Sequence, residues 1–127
     1  MYRQLTIPEL YYSMNIETLR DYCLSKSHVE ETFPFGPETL VFKVMDKIFL
    51  LAGLEQPDRF NVKCNPERAV GLREEYEEVQ PGYHMNKTHW NTVHMNGRLS
   101  ESQLREMIDH SYDLIVKSLP KSKQELI

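Results

Sequence analysis

The chain has 127 residues, 40% of them hydrophobic and 27% charged, which fits one globular domain around one core. Its formal net charge of −4 counts against a protein held to nucleic acid by bulk charge, because phosphate neutralisation supplies most nonspecific affinity. No run approaches the roughly 18 apolar residues of a membrane span, and no basic-then-apolar leader opens the sequence, so the expected location is the cytoplasm.

Residues 1–13 (MYRQLTIPELYYS) precede the first clean helix signal and are too apolar for a solvated tail, so they read as an extension that packs on the domain or on a neighbouring copy. The domain itself spans 14–127. Asn15 is a good N-cap, and Ile16, Leu19 and Cys23 recur at helical spacing, which predicts a helix to about Lys26. Residues 28–37 read as a loop closed by Phe33-Pro34-Phe35-Gly36-Pro37.

Three strands are predicted next. Leu40, Phe42 and Val44 alternate with Val41, Lys43 and Met45, and Asp46-Lys47 makes a tight turn. The run 48–54 is continuously apolar, as a central strand would be. Phe60, Val62 and Cys64 then alternate with Arg59, Asn61 and Lys63, giving a half-buried strand with a basic outer face. Connections this short force antiparallel neighbours. Cys64 falls in phase with the core residues, as Cys23 does, and with no CxxC spacing both read as buried thiols.

Asn65-Pro66 opens a second helix through Glu75, with Asn as cap and Pro at the first helical position. A fourth strand is expected around 79–85, a turn near Asn86-Lys87, and a fifth strand over 89–95. Asn96-Gly97 would ordinarily signal a hairpin, but a helix follows at once. Ser100 and Gln103 form a capping box, Leu99 can staple against Leu104, and Met107, Ile108, Tyr112, Ile115 and Leu119 extend one apolar face to Pro120. The order α-β-β-β-α-β-β-α predicts a two-layer α+β fold: an antiparallel five-stranded sheet with helices packed on one face and the other face available.

One stretch differs from the rest. No Asp or Glu occurs from Val79 to Ser100, and residues 81–94 hold the single Trp and three of the five His. Metal binding fits poorly, because His84, His89 and His94 are each five apart, a spacing that shares a face in neither strand nor helix. No GxSxG, GxxxxGK[ST] or GxGxxG is present, so neither a catalytic nucleophile nor a cofactor site is predicted. Nucleic-acid binding is the sharper expectation. Lys43, Lys63, Lys87, Arg98 and Arg59 would meet phosphates, Asn86, Asn91 and Thr92 would hydrogen-bond, and Trp90, Tyr83 and His89 would stack or wedge. Against it stands a structural reading, in which Trp90 is a core anchor and His84, Asn86 and His89 tie down an irregular hairpin by side-chain-to-backbone bonds.

The run His84-x-Asn86-Lys87-x-His89-Trp90-x-x-Val93 resembles the signature of the MmcQ/YjbR family, as do Asn61-Val62-Lys63 ahead of the Asn65-Pro66 helix and Pro81 ahead of the signature. The resemblance covers about residues 14–127. It implies a compact CyaY-like α+β fold, similar to type III secretion chaperones, and a proposed double-wing DNA-binding role with no catalytic residues to transfer. The expected function is therefore DNA binding without catalysis. The alternative is a protein-interaction or chaperone-like module that holds a partner, or a second copy, on the open sheet face. A continuous basic stripe through Lys43, Lys63, Lys87 and Arg98 would mark the first, and an apolar surface the second.

Overall fold

The computed structural model describes residues 14–127; the extension at 1–13 lies outside them. The first helix, α1 (Ile16–Leu24), starts where the sequence places it. Asn15 Oδ1 accepts the Thr18 N–H at 2.9 Å while Thr18 Oγ1 accepts the Asn15 N–H at 2.9 Å, a reciprocal cap. Strands β1 (Val29–Thr32), β2 (Thr39–Val44), β3 (Lys47–Gly53) and β4 (Arg59–Lys63) follow, then α2 (Pro66–Glu75), β5 (Val79–Pro81), β6 (Trp90–His94), α3 (Glu101–Ser118) and the single turn α4 (Lys121–Gln124).

All pairings are antiparallel, in the spatial order β1-β2-β3-β4-β6-β5. The sheet thus has six strands rather than the five expected. The addition is β1, which lies inside the stretch read as loop. Its sequence Val-Glu-Glu-Thr shows no alternation, because it borders the sheet and buries little. The predicted fourth strand is also shorter, ending at Pro81 instead of Met85.

The β2–β3 hairpin turns on Met45 and Asp46, both at positive φ (49° and 68°), the left-handed pair whose twist suits a two-residue connection. One face of the sheet carries the core. Leu40, Phe42, Val44, Leu50, Phe60, Val62 and Val93 meet Leu104, Met107, Ile108 and Ile115 of α3. The register slips within this hairpin: Phe42 faces Leu50, but Lys43 faces Ile48. Phe49 is thereby the extra residue of a bulge. It turns into the core, edge-on to Tyr112 at 5.4 Å, while Ile48 moves to the opposite face.

A bulge leaves ladder groups without partners. Ser111 supplies them from α3, within an otherwise apolar stripe. Its hydroxyl donates to the Phe49 carbonyl at 2.6 Å and accepts the Lys63 N–H at 2.9 Å, with the side chain fully buried. Cys23 and Cys64 are free and buried, and burial pushes the Cys23 thiol up to about 12.

Candidate functional site

The face of the sheet away from α3 is laid out by strand alternation. One row, Thr32–Val41–Leu51–Asn61–Thr92–Gln80, crosses all six strands. On one side of it Lys43 pairs with Ile48 and Lys63 with Trp90. On the other side Thr39 pairs with Gly53 and Arg59 with His94.

The segment between β5 and β6 folds over this face. Gly82 makes the approach possible: its N–H donates to the Trp90 carbonyl at 2.9 Å, and a Cβ there would lie 2.8 Å from Trp90 Cβ. Tyr83 N–H donates to Thr92 Oγ1 at 3.0 Å, and His84 then adopts φ +59°. Three side chains hold the rest of the loop. Asn86 Oδ1 accepts the Thr88 and His89 N–H groups at 2.9 and 3.2 Å, and Lys87 Nζ donates to the Gly82 carbonyl at 3.0 Å. Arg73 of α2 donates to Asn91 Oδ1 at 2.8 Å, to the Trp90 carbonyl at 3.1 Å and to the Lys87 carbonyl.

Between this loop and the β1–β2 connection lies a groove of about 660 Å³. Leu51, Asn61 and Thr92 lie along it, Phe35 comes from the β1–β2 connection, and Tyr83 and Met85 come from the loop. Gly36, at φ +110°, shapes the turn that displays Phe35. Phe35 and Tyr83 are each 65% exposed, whereas Leu51 is only 8% exposed. Arg59 and His84 also line the groove, and no Asp or Glu does among the described residues. The volume falls in the range of ligand clefts, which are mostly apolar with a few convergent polar groups.

The sequence-predicted residues divide. Lys43 and Lys63 stand half-buried on the open face. Asn86 and Lys87 are exposed, but their side chains are committed to the loop's own backbone. Asn91 is corrected: it is 1% exposed, sits opposite Val62 on the core face and is bound by Arg73, so no ligand on the open face touches it. Arg98 lies elsewhere, its guanidinium 3.5 Å from Glu78. The four cations therefore form no continuous stripe.

Trp90 is corrected too. Asn91 and Val93 take the inward positions of β6, so alternation turns Trp90 to the open face, where it is half-buried beside Lys63 and outside the core. His84 and His89 are exposed, with the His84 ring 4.0 Å from that of Tyr83. Among the described residues no three His, Cys, Asp or Glu side chains are placed to hold a metal ion.

Electrostatics at the margin follow from specific partners. Arg59 pairs with Asp58 through Nε and Nη2, at 3.1 and 3.2 Å, and holds that carboxyl below its usual range. The Arg98 N–H, 2.7 Å from Glu78 Oε2, holds Glu78 low as well. Burial pushes the His94 imidazole down, reinforced by Arg59 across the ladder.

Sequence reasoning missed Arg73, Phe35 and Leu51. Arg73 sits in a charged helical run, and its three acceptors lie 14 to 18 residues downstream, so no local pattern marks it.

Comparison with known proteins gives one consistent result. A family model described as YjbR matches residues 24–114. YbdF of Escherichia coli O157:H7 is 38% identical over 112 residues, covering 87% of this chain and 92% of that protein. YjbR of Escherichia coli K12 is 34% identical over 115 residues, covering 90% and 98%. Among solved structures, the Deinococcus radiodurans protein DR2400, a DUF419-domain protein, superposes with a TM-score of 0.83 at 37% identity, over 91% of this chain and 89% of that one. A Pseudomonas syringae protein does so at 0.70 and 28%, over 80% and 98%.

Proposed function

The chain belongs to the YjbR family, and from that premise we propose that it is a non-catalytic binding protein whose open sheet face holds an extended segment of a partner protein. The observation that carries this reading is the groove over the row Leu51–Asn61–Thr92–Gln80. Its floor is apolar at Leu51, its walls are the exposed rings of Phe35 and Tyr83, and the amide side chains of Asn61 and Gln80 give it a few polar groups. Buried apolar anchors with a few fixed polar groups are what peptide recognition requires.

Nucleic-acid binding is the second reading, favoured by Lys43 and Lys63 on the same face as Trp90. It is the weaker one. Phosphate contacts supply most of such affinity, and here Arg98 faces Glu78 and Lys87 is bonded within its loop.

The test is an NMR titration of isotope-labelled protein with peptides selected from a random 12-residue phage library. The expected shifts fall on the amides of Leu51, Asn61, Tyr83 and Thr92 and vanish in Phe35→Ala/Tyr83→Ala. Duplex DNA titrated in parallel should give no saturable binding near micromolar at low salt. DNA binding there that weakens steeply with salt, with Lys43→Ala and Lys63→Ala each lowering the slope by about 1, would replace the peptide reading with the nucleic-acid one.

A further inference from the structure

The polarity of the groove floor follows from a short chain of hydrogen bonds. Tyr83 N–H has only a proton to give, and it gives it to Thr92 Oγ1 at 3.0 Å. The Thr92 hydroxyl proton is then free to go to the oxygen 2.5 Å away, which is Asn61 Oδ1. With its oxygen so occupied, the Asn61 amide is oriented, and its Nδ2 is left as a donor with no partner among the described residues. Two residues earlier on the same strand face, Arg59 has Nε and Nη2 engaged by Asp58, and Nη1 has no partner among the described residues. Arg59 and Asn61 thus both line the groove from the same face of β4, a strand with neighbours on both sides.

Asp58 engages one edge of Arg59, but no carboxylate lines the groove itself among the described residues, although the chain as a whole carries net charge −4. On the same face neither Lys43 nor Lys63 makes an ion pair among the described residues, and His84 stands on the wall. The carboxylates beside these cations are Glu30, opposite Lys43, and Asp58 on Arg59.

Resting on the peptide reading above, we infer that the captured segment is acidic, and that Asn61 Nδ2 and Arg59 Nη1 receive the side-chain carboxylate of an Asp or Glu between apolar or aromatic anchors. Because β4 has β3 on one side and β6 on the other, a chain crossing it continues in both directions, which favours an internal acid over a C-terminal carboxylate. A carboxylate accepting from a guanidinium and an amide makes the stronger, charge-assisted kind of hydrogen bond.

The test uses the same 12-residue library, selected on wild-type protein and counter-selected on Phe35→Ala/Tyr83→Ala, followed by fluorescence anisotropy on the enriched peptide. The expected consensus contains an internal Asp or Glu, and changing that residue to Asn or Gln weakens binding about tenfold or more. The same peptide change should have less than a twofold effect on Asn61→Ala and on Arg59→Met, whose unfolding midpoints establish that they are folded.

A neutral or basic consensus that still depends on Phe35 and Tyr83 overturns the acidic inference and leaves the peptide reading standing. So does an acid whose removal costs the same in Asn61→Ala as in wild type, or a requirement for a free C-terminus. Failure of any sequence to depend on the two rings removes the peptide reading itself. Displacement of the peptide by an equal concentration of duplex DNA at 150 mM salt would reassign the donors to phosphate.

Discussion

Replacing Arg73 by Ala tests whether the family signature is a scaffold for the loop. The three acceptors it leaves differ in what they lose. The Lys87 carbonyl belongs to an exposed residue and passes to water at small cost. The Trp90 carbonyl still accepts the Gly82 N–H at 2.9 Å. Asn91 carries the penalty: at 1% exposure its amide oxygen is left without the guanidinium, and a buried polar group so stranded costs about 1–3 kcal/mol. With a smaller contribution from Trp90, the expected loss is about 2–4 kcal/mol.

The assay is urea unfolding followed through Trp90, the single Trp of the chain, with the midpoint falling and the slope unchanged. Arg73→Lys should recover less than half of the loss, since a point donor cannot span three acceptors. In a cycle with Asn91→Ala the two losses should overlap by about 1–2 kcal/mol. A loss under about 0.5 kcal/mol for Arg73→Ala, or full recovery with Lys, would refute the idea that this fork fixes the loop.

Three further outcomes are expected. Ser111→Ala strands the Phe49 carbonyl and the Lys63 N–H together and should cost about 2–4 kcal/mol in urea unfolding, whereas a surface-like effect would mean that the bulge finds other partners. Trp90→Ala should cost about 1–2 kcal/mol and Phe60→Ala about 3–5, because Phe60 is fully buried and Trp90 is not; equal losses would return Trp90 to the core.

Stability should also fall as pH drops below about 6.5, the ordinary His value. Burial holds His94 and His110 below that value, and His110 Nε2 must stay unprotonated to accept the Asn65 N–H at 3.1 Å. The unfolded chain therefore binds more protons in this window, which gives stability a positive slope with pH. Urea midpoints at pH 7.5, 6 and 5 check it, and a midpoint that holds or rises on acidification would contradict the assignment.

Most of the fold was legible wherever local chemistry and tertiary position agree. Asn15, Asn65-Pro66 and Ser100 with Gln103 cap their helices as read, because capping acts within one turn. The stripe from Leu104 to Leu119 is buried at each named position, since a long amphipathic helix declares its face.

What escaped depends on distant partners. Val29–Thr32 becomes a strand only because β2 is there to pair with it. Phe49 enters the core only because a one-residue slip inverts the alternation. The signature drew attention to the right loop, but its Asn and Lys act inward, and the surface it frames is supplied by Phe35, Leu51 and Asn61 from elsewhere in the chain.

The two borders of the sheet are unlike. At β5 the pairing run is three residues long and ends on Pro81, which has no N–H to offer, so that side cannot accept another strand of useful length. At β1 a four-residue strand keeps its outer backbone groups unpaired by any described residue. A fibre needs every copy to dock on both flanks. With β1 the single receptive flank among the described residues, strand-to-strand docking through this sheet joins at most two copies and does not propagate.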